Sequence, residues 1–395
     1  MQALNIHCIT ASSALGLGLS SQFAALRDKR SGLRQNHFLD TGDLNTWIAA
    51  VNEIEHCDFP DSHRDWRCRN NTLAWLALQQ DNFFEQVNAL LARFDRRRVG
   101  VFLGTSTSGI LSTEIAYREL QDNEGHLPSW YHYEQTHNNF SLTAFVADIF
   151  NLQGPAFTVS TACSSSAKVV ACAQRFIDLG LIDAALIGGV DSLCLTTLYG
   201  FHSLQLLSSQ PCRPCDAERD GISIGEAAAF AFLSRSGDTD TKIYGLGESS
   251  DAYHMSSPHP EGRGAADAMR AALTSAGLNA GDIDYINLHG TGTRANDAAE
   301  CAAVSDIFGG DTPCSSTKAW TGHTLGAAGA LELAIATLAL RHNFLPANLG
   351  LGQLDPELRC NVLRDHQCDR SVRRVLSNSF GFGGSNCSLI VGCDK

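Results

Sequence analysis

A chain of 395 residues, 44% of them hydrophobic and 18% charged, is too long for one ordinary core, and we expect two domains or two halves of one layered body. This composition excludes a disordered or fibrous protein. The formal net charge of −13 at pH 7 argues against nucleic acid or an anionic membrane as the main partner.

The N-terminal residues, Met1 to Cys8, lack a basic leader followed by an apolar run, so no secretory signal is predicted and we expect a cytoplasmic protein. The longest apolar stretch, Leu325 to Leu340, contains Glu332 and is shorter than the roughly 20 apolar residues that a membrane span requires. It predicts a buried helix and no membrane insertion.

The 14 cysteines have no regular spacing. Without an export signal, this pattern favours reduced thiols and small core residues over a disulfide framework. Cys212 and Cys215 have the spacing of a thioredoxin-type dithiol, but no helix-forming run follows, so two incidental thiols in a loop are favoured and a redox role is left open. No Cys/His group has zinc-ligand spacing, so no metal site is predicted.

Two arginine clusters precede the first clear strand. One consists of Arg64, Arg67 and Arg69, and the other runs from Arg96 to Arg98. Such clusters are usually solvated surface. The first could also supply the local basic patch that an acidic carrier protein would need.

Apolar runs of strand length alternate with alanine-rich helical stretches, which is typical of βαβ architecture. Gly277 and Gly309 are placed to end two of the helices. The clearest strands and helices are 99–103, 184–188, 264–276 and 296–307.

Ser234 to Lys242 is the most polar break in the middle of the chain. We place a boundary within it, which divides the chain into residues 1–237 and 238–395. The first part holds a candidate nucleophile and the second holds two candidate histidines.

The candidate nucleophile is Cys163. Ala156 to Ser160 alternates like a strand and Ser164 to Leu179 has the pattern of a helix, so Cys163 falls in the turn at a helix N-terminus. Free N–H groups and the helix dipole stabilise a thiolate at such a position. A buried structural thiol is an equally compatible interpretation of this segment.

The two candidate histidines lie in loops of the second part. The strand Ile283 to Leu288 delivers His289 to its carboxyl end, where the sites of α/β proteins gather. His323 lies in a loop with Lys318, ahead of the long apolar helix. Either histidine alone could be a satisfied core or capping residue.

Asn378 to Asn386 is a glycine-rich turn between two strand-like runs. A phosphate cradle is a weak interpretation, because no helix follows and the Walker lysine is absent. The residues alone leave the task of this turn open.

Together these four segments resemble the β-ketoacyl synthases of the elongating type, members of the thiolase-like superfamily, in order and in spacing. Cys163, His289 and His323 have the family's separations, and Lys318 stands five positions before His323, as in the family. The resemblance covers most of the chain from about Val99 onward. It implies an α/β fold with αβαβα layers, built from two related halves.

The resemblance implies a task for each of these residues. Cys163 would attack the thioester of an acyl carrier protein and hold the acyl group covalently. His289 and His323, as neutral imidazoles, would donate hydrogen bonds to the enolate left when malonyl carrier protein loses carbon dioxide. Lys318 would disfavour the imidazolium form of His323. The implied reaction is a decarboxylative Claisen condensation that needs no metal or organic cofactor.

Further roles are implied in the same way. The backbone N–H groups of Cys163 and Phe382 would form an oxyanion hole, and Phe382 would act as a gate. Thr291 and Thr293 would line the pantetheine tunnel. The family also implies a dimer, either of identical chains or with a related chain-length-factor-like partner. The acidic positions of the same motifs are occupied by Glu300 and Glu332.

Two departures from the family concern the substrate rather than the chemistry. Ile222 follows Arg219-Asp220-Gly221, where many fatty-acid synthases of this family carry an aromatic residue, and the first ninety or so residues lack the usual glycine-rich opening. The chain is similar to ketosynthases of polyene pathways, particularly the aryl polyene type. Fatty acid and polyketide biosynthesis are both compatible with this pattern.

Four alternatives compete with a ketosynthase. One is a carrier-protein-binding module without catalysis, in which Cys163 would fail to alkylate. A non-catalytic chain-length-factor-like subunit would share the fold but normally lacks the nucleophile. A degradative thiolase would run the Claisen reaction backwards with a second cysteine, and the two-histidine arrangement disfavours it. A Cys-His hydrolase would leave Lys318 and the second histidine without a task.

Overall fold

The structure, a computed structural model, describes residues 1–368 and 370–394. The strands are β1 (Leu4–Ser13), β2 (Gly16–Leu17), β3 (Arg34–Gln35), β4 (Trp47–Ala49), β5 (Val99–Gly104), β6 (Ala156–Val159), β7 (Ala184–Asp191), β8 (Ile224–Gly225), β9 (Ala227–Ser234), β10 (Lys242–Ser250), β11 (Tyr285–Asn287), β12 (Pro313–Ser315), β13 (Asn361–Val362), β14 (Arg374–Gly381) and β15 (Ser385–Gly392). The helices are α1 (Gly18–Arg27), α2 (Arg69–Leu78), α3 (Phe83–Leu91), α4 (Ile110–Arg118), α5 (Ser141–Ile149), α6 (Ser165–Asp178), α7 (Leu195–Ser203), α8 (Arg263–Ala276), α9 (Arg294–Phe308), α10 (Lys318–Thr321) and α11 (Ala328–His342).

One mixed sheet runs through the molecule in the order β13-β12-β11-β14-β15-β10-β1-β9-β7-β5-β6. Its two sides meet where β1 pairs with β10, at Leu4 with Ile243 and at Asn5 with Lys242. Counted in chain order, β1-β9-β7-β5-β6 and β10-β15-β14-β11-β12 follow the same path: first, fifth, fourth, second, third. On both sides the first two pairings are antiparallel and the next two are parallel. The molecule therefore contains two related halves, called here the N half and the C half.

Helices cover both faces of each half. Alternation along the strands sends side chains to opposite faces: in β9, Ala231 and Leu233 join the core between the halves, whereas Phe230 and Phe232 join the outer core of the N half. The helices α2, α3 and α5 pack on that outer face, α8 and α9 cover the outer side of the C half, and α6 and α11 touch each other in the middle. The αβαβα layering implied by the resemblance is confirmed.

The middle layer explains the longest apolar stretch of the sequence. Within the described residues, Leu325–His342 is the one helical stretch long and apolar enough to cross a membrane, but 89% of it lies buried inside the fold. A helix that is apolar all round suits a layer with protein on every side. The predicted buried helix is confirmed, although its first residues, Leu325–Ala327, form a 3-10 turn before α11 begins.

The local predictions agree with the observed elements. The predicted strands appear as β5 and β7, and the predicted helices as α8 and α9. Gly277 and Gly309 end those two helices at positive φ of 66° and 68°, in the region that L side chains rarely adopt.

The expectation of uniformly reduced thiols is wrong for one pair. Cys301 in α9 is bonded to Cys360, just before β13, with the two Cα atoms 5.4 Å apart. Spacing along the chain could not reveal this pair, because 59 positions separate the two cysteines and only the fold brings them together. Cys212 and Cys215 are buried and free, so they do not form a dithiol bridge in this structure.

Candidate active site

The site forms where strand ends from the two halves meet. In the N half, β6 leads into the turn that carries Cys163 and then into α6. In the C half, β11 leads to His289, and β12 leads to Lys318 and His323 ahead of α11. Because the parallel strands of each half end at one edge of the sheet, and α6 touches α11, these turns face each other.

The nucleophile turn is tightly folded. Ala162 has a φ of 51°, which is uncommon for a residue with a side chain. Its carbonyl accepts hydrogen bonds from the hydroxyls of Ser165, at 2.6 Å, and Ser106, at 3.3 Å. These contacts fix the backbone immediately before Cys163, whose side chain is buried.

Burial decides the protonation state of Cys163. It raises the pKa of the thiol to about 11, and this effect outweighs the lowering by Lys318 and by the backbone N–H groups of Phe382 and Cys163 itself. The helix N-terminus alone therefore does not make a thiolate at neutral pH. The two N–H groups do lie at the sulfur, where the resemblance places an oxyanion hole.

The two histidines are neutral and close to the nucleophile. His323 Nε2 lies 3.0 Å from Cys163 Sγ, and the rings of His289 and His323 are 5.2 Å apart and nearly perpendicular. Burial, followed by the nearby charge of Lys318, holds the pKa of both imidazoles well below the usual range. His323 Nδ1 accepts the backbone N–H of Leu325 at 3.3 Å, so its proton resides on Nε2 and points at the site.

Lys318 is locked in an ion pair. Its Nζ lies 2.6 Å from Glu332 Oε1, and the two side chains are 1% and 3% exposed. Each charge of such a pair is held in place by the other, because separating them would leave an unpaired charge in the interior. Lys318 therefore acts on the site as a fixed charge and does not move freely into it.

Glu300 supports the His289 turn from behind. Its carboxylate accepts the backbone N–H groups of His289, at 2.8 Å, and Gly290, at 2.7 Å, and also the amide of Asn378, at 3.0 Å. Burial raises the pKa of Glu300 to about 7. The sequence placed Glu300 at an acidic position but did not single out Asn378, which sits inside the glycine-rich motif.

A cavity of about 330 Å³ opens onto Cys163, His289 and His323. Thr291 and Thr293 line it, with their hydroxyls 2.9 Å apart. Phe382 lines it as well, and its partly exposed ring lies 5.7 Å from the ring of Phe201. The cavity joins the predicted tunnel and gate residues to Cys163, His289 and His323.

The same three side chains are close enough to suggest a metal site, since their ligand atoms lie within 4.8 Å of one another. The donor set does not fit, because a metal would need the Nε2 lone pair of His323. The N–H of Leu325 already occupies Nδ1 as an acceptor and keeps the proton on Nε2. His323 is therefore a hydrogen-bond donor rather than a ligand.

The predicted carrier patch needs one correction. Arg69 is only 10% exposed, and its guanidinium binds Glu226, with Nη2 2.6 Å from Oε1. It also pairs with Glu55 at 2.5 Å. Because Arg69 is bound to the buried carboxylate of Glu226, its charge is not available on the surface. Arg64 and Arg67 remain exposed.

Two family models match the chain. The model described as β-ketoacyl synthase, N-terminal domain, matches residues 18–239, and the model described as β-ketoacyl synthase, C-terminal domain, matches residues 241–352. Both matches together cover Cys163, His289 and His323.

Curated relatives carry a consistent name. The 3-oxoacyl-[acyl-carrier-protein] synthase 2 of Rhizobium meliloti (strain 1021) is 40% identical over 258 residues, which are 61% of this chain and 61% of that protein. The protein of the same name from Coxiella burnetii (strain RSA 493 / Nine Mile phase I) is 31% identical over 399 residues, 96% of this chain and 95% of that protein.

Solved structures agree over the full length. A ketosynthase (ApeO) in complex with its chain length factor (ApeC) from Xenorhabdus doucetiae has a TM-score of 0.91 at 40% identity, covering 99% of this chain and 98% of that one. The ishigamide ketosynthase/chain length factor has a TM-score of 0.89 at 27% identity, covering 100% of both chains. The chain therefore belongs to the β-ketoacyl synthase family.

Proposed function

We propose that the chain condenses an acyl group held on Cys163 with a malonyl thioester carried by an acyl carrier protein. The observation that carries this proposal is the pair of neutral imidazoles at the Cys163 thiol, one with its Nε2–H fixed toward the site. Such donors stabilise an enolate oxygen without consuming a proton.

In the first step, the sulfur of Cys163 attacks the carbonyl carbon of the acyl thioester. The N–H groups of Cys163 and Phe382 support the oxyanion, the bond from carbon to the pantetheine sulfur breaks, and the proton of the Cys163 thiol ends on the departing pantetheine thiol. The acyl group is then held by the enzyme and the carrier protein is free to leave.

In the second step, the malonyl group on the pantetheine arm of its carrier protein enters the cavity and loses carbon dioxide. The electron pair of the broken bond forms an enolate, whose oxygen accepts hydrogen bonds from His289 and His323. Its carbon attacks the acyl carbonyl and displaces the Cys163 thiolate, which takes up a proton. The product is a β-ketoacyl thioester two carbons longer.

The alternatives fit the site less well. A non-catalytic chain-length-factor-like subunit has no use for a nucleophile that faces two histidines. A thiolase would need a second cysteine, and among the described residues lining the cavity Cys163 is the one cysteine. A hydrolase would need His323 Nε2 as a proton acceptor, but that atom carries the proton.

We also propose the setting of the reaction. The relatives named as acyl-carrier-protein synthases, and the structural neighbours solved with a chain length factor, support a carrier protein and a related partner chain or second copy as partners. We propose a specialised polyene pathway of the aryl polyene kind, a cytoplasmic location and no metal or organic cofactor. The boundary between the two halves is proposed near residues 237 and 238, between β9 and β10.

The proposal is tested by supplying malonyl carrier protein and an acyl carrier donor, with and without a candidate partner chain, and following carbon dioxide and product mass. Wild type should give a product two carbons longer, and Cys163→Gln should only decarboxylate. Cys172→Ser, a half-buried thiol on α6 outside the cavity, is the matched control and should behave as wild type. If wild type neither decarboxylates nor elongates in any combination, the proposal fails.

A further inference from the structure

Asp191 is a buried carboxylate that the condensation mechanism does not use. It ends β7 and is 0% exposed. Its Oδ1 accepts four hydrogen bonds at 2.8 Å, and its Oδ2 accepts one more. Three of the donors are backbone N–H groups, which cannot reverse their role and so bind the ionised carboxylate better than the protonated one. Burial acts in the opposite direction and raises the pKa of Asp191 above its usual value. None of the described ion pairs includes Asp191, so no cation neutralises it directly.

One side of Asp191 holds the nucleophile turn. The four bonds to Oδ1 come from Thr105, Ser106 and Thr107, which follow β5 in the N half. The hydroxyl of Ser106 in turn donates to the carbonyl of Ala162 at 3.3 Å. Ala162 is the residue with positive φ directly before Cys163. A path of hydrogen bonds therefore runs from Asp191 to the backbone of the nucleophile.

The other side holds the turn after His323, in the C half. Asp191 Oδ2 accepts the backbone N–H of Gly326 at 2.5 Å. The preceding residue, Leu325, donates its N–H to His323 Nδ1. The packing here leaves no room for a side chain, since a Cβ on Gly326 would lie 2.8 Å from Asp191 Oδ2 and 2.7 Å from Ser106 Oγ.

We propose that Asp191 is a positioning residue that ties the Cys163 turn of the N half to the His323 turn of the C half. It touches neither substrate nor the reacting atoms, and it acts through Ser106 and Leu325. This inference rests on the proposed function for its effect on condensation, but its effect on the thiol can be measured without that reaction. Without Asp191, no single residue would hold both the turn before Cys163 and the turn after His323. The distance between Cys163 Sγ and His323 Nε2 would then be less firmly fixed.

Asp191 also acts on Cys163 through its charge. Besides burial and the backbone N–H groups of Phe382 and Cys163, the charges of Lys318 and Asp191 act on this thiol, and the imidazoles of His289 and His323 that face it are neutral. Lys318 lowers the pKa of Cys163, and Asp191 raises it. Removal of the carboxylate charge should therefore make the thiol easier to ionise while it loosens the geometry of the site.

The experiment compares Asp191→Asn with wild type in two assays. Condensation should fall about tenfold to hundredfold, because displacements near 1 Å in reacting groups have effects of that size. The pH profile of Cys163 alkylation by iodoacetamide should move to lower pH. Asp183→Asn, at the exposed residue directly before the opposite end of β7, is the matched control and should change neither assay.

The two readouts separate the possible outcomes. A residue with a merely structural role would lower folded yield without moving the alkylation profile of the folded fraction, and that result would overturn the proposal. If wild type does not condense at all, the proposed function fails, and the alkylation profile still tests Asp191. Should Asp191→Asn not fold, Ser106→Ala removes the bond to Ala162 alone. It should lower condensation several-fold, and unchanged condensation would overturn the link.

Discussion

The N half and the C half follow the same strand path and supply different chemistry. In each half, the third strand leads through a turn into a helix of the middle layer: β6 into α6, and β12 into the turn before α11. The N-half turn carries Cys163, and the C-half turn carries Lys318 and His323. The duplicated scaffold places the two turns face to face. In the proposed reaction, the Cys163 turn holds the acyl group and the His323 turn stabilises the enolate.

Burial in the same site shifts the pKa of the Cys163 thiol and the pKa of the two imidazoles in opposite directions. Burial favours the neutral form of every titratable side chain, so it raises the pKa of the Cys163 thiol and lowers that of both imidazoles. For the histidines this is useful, because a neutral imidazole donates a hydrogen bond. For the cysteine it is a cost that the nearby Lys318 and N–H groups only partly offset.

Among the described residues, Arg69–Glu226 is a buried ion pair of the N half and Lys318–Glu332 is one of the C half. The C-half pair gives the largest expected effect. Lys318→Met should lower the free energy of unfolding by about 3–5 kcal/mol, because Glu332 would be left charged and buried. The double variant Lys318→Met, Glu332→Leu should recover most of this loss in urea unfolding. If the single variant is as stable as wild type, the ion pair of Lys318 and Glu332 does not hold Lys318 in place.

The N-half pair should behave in the same way. Arg69→Ala removes the partner of Glu226, which is fully buried, and should also destabilise by about 3–5 kcal/mol. Arg67→Ala is the matched surface control and should leave the unfolding midpoint unchanged while weakening carrier-protein binding modestly. A stable Arg69→Ala variant with weakened carrier binding would restore Arg69 to the surface patch.

The division of chemistry between the halves is sharpened by His289→Ala. Loss of one preorganised donor should lower decarboxylation about 10²–10³-fold. Acyl loading of Cys163, followed by intact-protein mass, should persist because His289 takes no part in it: the nucleophile and the N–H groups of Cys163 and Phe382 stay in place. Equal loss of both steps would show that the halves do not divide the reaction as described.

The contact between the halves is tested at Gly329. Gly329→Ala adds a Cβ that would meet Ala167 of α6, and we expect a loss of about 1–3 kcal/mol from overpacking. Gly200→Ala, in the exposed part of α7, meets nothing within 4 Å and should be neutral or slightly stabilising. Thermal unfolding of the two variants side by side distinguishes packing from helix propensity.

The smallest expected effect, counted for each pH unit, is the change in the rate of Cys163 alkylation with pH. With a raised pKa of about 11, the thiol should be alkylated about tenfold faster for each pH unit between pH 6 and pH 9, since only the thiolate reacts. Cys163→Ser supplies the background from the other thiols. A plateau below pH 8 would mean that the site ionises the thiol despite its burial.

Much of the site could be predicted because the proposed catalytic residues lie in local motifs. Each motif is contained within a few residues: the alternation before Cys163, the strand before His289 and the loop from Lys318 to His323. The structure has the predicted strands before Cys163 and His289 and places His323 ahead of α11, as predicted. The carrier patch was also predicted from a local run of residues, and the prediction was wrong for Arg69, which is bound to Glu226. Its partner Glu226 is far away in sequence, and a run of arginines does not show which one is recruited inward.

The sequence by itself determined the α/β class, the main strands and helices, the family and the three side chains for which we propose the reaction. These follow from local patterning and from motif order, which a linear chain displays directly. The tertiary structure decided the protonation of Cys163, the tautomer of His323, the Cys301–Cys360 bond, the burial of Arg69 and the place of Asp191 between the turns. Each of these depends on burial or on a contact between distant segments, and those quantities exist only once the two halves have packed together.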